Sequence, residues 1–176
     1  VYAALGRHHM KRWGTTQRQI AAIAAKNHQH SVHNPMAQFR MPFSVDEVLA
    51  APPITYPLTL PMCAPVSDGA AAAILCTEEG LTRIGADRSR CIKIGASVVR
   101  SATRRGPEEH ERNLARLAAY QAYEIAGLGP EDMDVAEVHD ATAIAEILQV
   151  ENLGFANVGE GGPAADPVAR TAACPR

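Results

Sequence analysis

Residues 134–155 read DVAEVHDATAIAEILQVENLGF, and the hydrophobic pattern changes period midway. Val135-Ala136-Glu137-Val138 predicts a short strand. His139 and Asp140 fall at its end. Ile144, Ile147, Leu148, Glu151 and Leu153 then come near helical spacing, and Gly154 is a stop signal. A junction of this kind fixes the backbone on both sides of any reactive group it carries. The start of the helix also favours anionic ligands. Spacing alone leaves a plainer reading open, in which Asp140 or Thr142 caps the helix and His139 is a loop histidine.

Outward from this stretch, strands and helices alternate, which predicts an α/β protein. Residues 1–12 read as a helix. Gly14-Thr15-Thr16 caps a second one, whose narrow face is Ile20, Ala21, Ile23, Ala24 and Asn27. His28, His30 and His33 are expected to leave that helix for a polar loop. Their spacing does not place three ligands on one helix face, so they are not read as a metal site. Ser44 and Glu47 have capping-box spacing. Pro52 to Pro65 predicts an extended loop. Ala70–Cys76 and Cys91–Val99 predict strands, Glu78–Ile84 a short helix, and Glu108–Ala126 the longest amphipathic helix, ended by Gly127. Gly159 to Gly162 lacks the lysine and the preceding strand of a phosphate loop.

Of the 176 residues 47% are hydrophobic and 20% charged, so a packed core is expected. The net charge of −2 gives no general attraction to nucleic acid or to an anionic membrane. No apolar run approaches the roughly 20 residues of a membrane helix. Cys63, Cys76, Cys91 and Cys174 show no CxxC spacing. They read as ordinary thiols in a reducing, cytoplasmic compartment. The chain opens at Val1 as if inside a helix, and Asp166–Arg176 has no periodicity. It reads as part of a longer protein with an irregular tail.

Three stretches carry a family resemblance. EVHDATAIAEILQVENLG (residues 137–154) resembles the strand-loop-helix of sterol-carrier-protein-type thiolases, which carry His-Asp-Cys-Phe where other thiolases carry Asn-Glu-Ala-Phe. RHHMKRWGTTQRQIAAIAAKNHQHSVHNPMAQFR (7–40) is similar to the approach to the thiolase loop domain. PLTLPMCAPVSDGAAAAILC (57–76) is similar to the segment that closes the N-terminal half. The order is that of the thiolase superfamily. The resemblance implies a partial thiolase-like fold, with residues 1–86 ending the N-terminal domain and 87–176 starting the C-terminal one. It implies a homodimer, with a partner protein in some relatives.

Thiolases transfer acyl groups between coenzyme A thioesters through an acyl-cysteine. The chemistry needs a thiolate, and donors preplaced for the oxyanion. The family's nucleophile lies upstream of the matched part and its Gly-His-Pro histidine downstream, so this chain alone is expected to lack thiolase activity. His139 matches the oxyanion-hole histidine and is the residue carried over as catalytic. Asp140, Ala141, Thr142 and Ala64 fall at positions expected to meet the acyl-CoA substrate. Ala141 stands where the branch has its cysteine, Thr142 where it has phenylalanine, and Ala64 where a serine touches pantetheine. The resemblance thus implies a coenzyme A thioester as ligand, with no covalent cofactor. The implied parent is an acyltransferase. The alternatives are a non-catalytic acyl-CoA or lipid carrier, and an aldol lyase working with a partner chain.

Overall fold

The structure is a computed structural model and describes residues 1–165. The tail Asp166–Arg176, with Cys174, lies outside the described residues. Helix α1 (Tyr2–Trp13) ends at Gly14, whose φ of 74° is the left-handed value glycine adopts without strain. Helix α2 (Gln17–Ser31) starts in a capping box, with the Thr16 hydroxyl on the Gln19 amide and the Gln19 side chain on the Thr16 amide. Helix α3 (Val45–Ala50) opens with the Ser44–Glu47 capping box that the spacing predicts. A two-stranded antiparallel hairpin follows, β1 (Pro53–Thr55) and β2 (Leu58–Thr59), and then a 3-10 turn over Leu60–Met62. Helix α4 spans Glu78–Arg83, α5 Leu114–Ala126, α6 Ala143–Asn152 and α7 Gly161–Ala165.

The core forms where α2 and α6 cross. Every residue of α2 from Ile20 to Ala25 is buried. Four of those six are alanine, so the backbones of neighbouring elements approach closely, and α3, α6 and α7 all pack on α2. Ile144 and Ile147 of α6 are fully buried, as are Ile20 and Val48. Each such side chain contributes about 1.5–3 kcal/mol over an exposed one. Helix α1 closes on α6 across Gly6, where a Cβ would lie 3.3 Å from Pro57 Cγ and 3.6 Å from Ile144 Cγ1. Helix α5 also packs on α6, and the Tyr123 hydroxyl donates to the Leu153 carbonyl at 2.9 Å.

Several expectations are corrected. Ala70–Cys76, Cys91–Val99 and Val135–Val138 are not strands; they run without ladder hydrogen bonds. Among the described residues the one sheet is β1–β2. The composition of these segments suits a pleated, half-buried surface, but a strand also needs a neighbour to pair with. Here most of their side chains lie in the open, Ile92 at 92% exposure and Val135 at 86%. The proline-rich stretch, read as an extended loop, contains the hairpin. Helix α2 continues through His28 and His30. Helix α5 starts at Leu114 rather than Glu108, because the Asn113 side chain caps it by accepting from the Ala115 amide at 3.0 Å.

Candidate functional site

The loop between Met133 and α6 is pinned to the segment after the hairpin. The Ala64 amide donates to the Ala141 carbonyl at 3.0 Å, and Cys63 pairs with Thr142 as an isolated antiparallel bridge. Two segments distant in sequence thus form one wall of a cleft of about 800 Å³. Ala136, Val138 and Asp140 line it, in the alternation of extended backbone. Phe39, Met41, Phe43, Met62 and Phe155 add apolar surface, and Lys26, Asn27, His28 and Glu146 supply polar groups. A mostly apolar cleft with a few convergent polar groups is the usual form of a small-ligand site.

The polar groups form a network. Lys26 of α2 makes an ion pair with Glu146 of α6. The Asn27 side-chain amide uses both of its hydrogens, donating to Asp140 Oδ2 at 3.1 Å and Glu146 Oε2 at 2.9 Å. Burial raises the Asp140 carboxyl above its ordinary range, and the neighbouring Glu146 charge and a hydrogen bond to Glu146 raise it further, against the opposing pull of its own backbone amide and of Lys26. The native state therefore holds the Asp140 proton more tightly than the unfolded chain does. By linkage, Asp140 favours folding most at acid pH, and that contribution is lost as pH rises through the raised value. Burial also raises Cys63, so its thiol stays protonated at neutral pH and is a poor nucleophile.

The structure separates the residues read from the sequence. Ala64 and Asp140 line the cleft. Ala141 joins its wall through the backbone. Thr142 is buried at the N-cap of α6 without a side-chain capping bond, and its hydroxyl has no hydrogen-bond partner. His139 is exposed and lies outside the lining, although Val138 and Asp140 on either side of it are inside. Lys26 and Glu146 escaped the sequence reading, and Asn27 entered it only as part of the α2 face, not as a site residue. The available signal was Glu146 itself, a carboxylate flanked in sequence by Ala145 and Ile147. His28 accompanies them on the cleft side, its Nε2 3.3 Å from the Pro61 carbonyl and its ring 4.8 Å from Phe43. Among the described residues no three His, Cys, Asp or Glu side chains could hold a metal ion.

A helical layer around α2 and α6, with a cleft between α2 and the loop before α6, is a partial thiolase-like fold. The chain is thiolase-like in sequence as well. Residues 96–172 match the family of thiolase C-terminal domain-like proteins. Sterol carrier protein 2 of Oryctolagus cuniculus is 38% identical over 172 residues, 94% of this chain and 31% of that protein. The benzoylsuccinyl-CoA thiolase subunit BbsB of Thauera aromatica is 38% identical over 167 residues, 91% of this chain and 42% of that protein. The chain therefore spans less than half the length of either relative. The solved Ltp2-ChsH2(DUF35) aldolase shares the fold with a TM-score of 0.71 at 22% identity, over 93% of this chain and 44% of that one. No helix among the described residues is long and apolar enough to cross a membrane.

Proposed function

We propose that this chain supplies an acyl-thioester cleft to a thiolase-like acyltransferase whose ligand is a coenzyme A thioester. The observation that carries this reading is the Ala64–Ala141 junction. It joins two of the stretches that resemble thiolases at one cleft, whose volume suits a pantetheine arm and a short acyl group. The apolar side chains would hold the acyl part, and the carboxyl network would meet the thioester carbonyl. The boundary near residue 87, a homodimer and a cytoplasmic setting belong to the same proposal.

A second reading is an aldol lyase acting on a coenzyme A thioester with a partner chain. It is favoured by the presence of Ala141, which removes the thiol from the loop where the sterol-carrier branch carries one. The names of two of the proteins above, a thiolase subunit and an aldolase with a DUF35 partner, point the same way.

Calorimetric titration of this chain with acetyl-CoA and with hexanoyl-CoA tests the proposed ligand. Saturable binding is expected, weakened about tenfold by Ala64→Trp, which is about 1.4 kcal/mol. Ala64 is exposed, so the indole enters the cleft without disturbing the core. A chain that binds neither thioester, or an Ala64→Trp variant that binds as well as the parent, overturns the assignment.

A further inference from the structure

We propose that Asp140, held by Asn27 beside Glu146, is the hydrogen-bond donor this chain offers to the carbonyl oxygen of a thioester seated in the cleft. The inference rests on the acyl-thioester reading above and names the residue that would recognise the acyl carbonyl. A carboxylate cannot donate, so the group must keep its proton, and the surroundings of the two carboxyl groups differ in a way that decides which one does. Glu146 receives the Lys26 ammonium and one hydrogen of the Asn27 amide. Asp140 receives the other amide hydrogen and its own backbone amide, with no cation paired to it directly, and it has the Glu146 charge as a neighbour. Lys26 thus neutralises Glu146 rather than Asp140, which makes Asp140 the carboxyl group of the two that we assign the proton. A carbonyl oxygen in the cleft becomes a second acceptor for the same O–H. No bond to carbon is made or broken, and the proton stays on Asp140.

Lys26, His28, Cys63 and Glu146 are the other titratable groups lining the cleft, so the experiment must tell them apart. Acetyl-CoA affinity is measured by titration calorimetry across pH for the parent, Asp140→Asn and His28→Gln. The parent should lose affinity about tenfold per pH unit above the pH at which Asp140 ionises. Asp140→Asn keeps a donor that cannot ionise. It should bind within about threefold of the parent at acid pH, with that pH dependence gone. His28→Gln should keep the dependence. Circular dichroism confirms that each variant is folded. Parent binding that does not change with pH, or a dependence that survives in Asp140→Asn or disappears in His28→Gln, overturns the inference and leaves the acyl-thioester reading standing. Absence of saturable binding overturns both.

Discussion

Ile144→Ala is expected to lower the unfolding free energy of this chain by about 2–5 kcal/mol, enough to remove much of the margin of an ordinary domain. Ile144 has no exposed surface. It lies in the second position of α6, where α1 comes close: a Cβ built on Gly6 would be 3.6 Å from Ile144 Cγ1. Truncation leaves a void bounded by Gly6 and Pro57 on one side, and helices on the others. Their backbones cannot follow the lost atoms inward, so the cavity remains and adds to the transfer cost. Ile92→Ala is the internal comparison, because Ile92 is 92% exposed. It should change stability by no more than about 0.5 kcal/mol. Urea unfolding of both variants measures the difference. Equal, small effects would show that α6 is not the centre of the packing.

The stretch around α6 was legible in sequence because several independent signals agreed there. Ile144, Ile147 and Glu151 share a helical spacing, and all three are buried. Capping residues were equally informative, since Thr16 and Ser44 act through local hydrogen bonds that need no tertiary context. The three expected strands failed for the opposite reason. Local composition reports that Ile92, Ile94 and Val99 tolerate extended backbone; it carries no information on whether a second strand lies alongside. The spacing of His28 and His30 predicts a loop because polar residues weaken a periodic pattern, yet α2 continues through them, with His28 edge-on to Phe43. The site was half legible. Ala64 and Asp140 came from the resemblance, whereas Asn27 and Lys26 reach Asp140 and Glu146 only because α2 and α6 pack together.

Glu151→Ala is expected to cost more than any change to the cleft, about 3–5 kcal/mol, through a network that the acyl-thioester reading does not use. His9 of α1 and Glu151 of α6 are both buried, with His9 Nε2 3.1 Å from Glu151 Oε1. The other ring nitrogen of His9 lies 2.7 Å from the Thr15 hydroxyl, and the Gly161 amide donates to Glu151 Oε1 at 2.9 Å. One carboxylate therefore ties α1, α6 and the start of α7 together. The variant would leave His9 and the Gly161 amide without an acceptor in the interior. The Trp13 ring, 4.6 Å from the His9 ring between centroids, closes the network on a further side. Glu151→Gln keeps one oxygen for two donors and should recover part of the loss, leaving about 1–3 kcal/mol. Glu151→Leu separates volume from polarity: it fills the space but satisfies neither donor, so it should be as damaging as alanine. If the leucine variant instead melts like the parent, then Glu151 fills space at the junction, and the hydrogen bonds to His9 and Gly161 contribute nothing beyond what packing supplies.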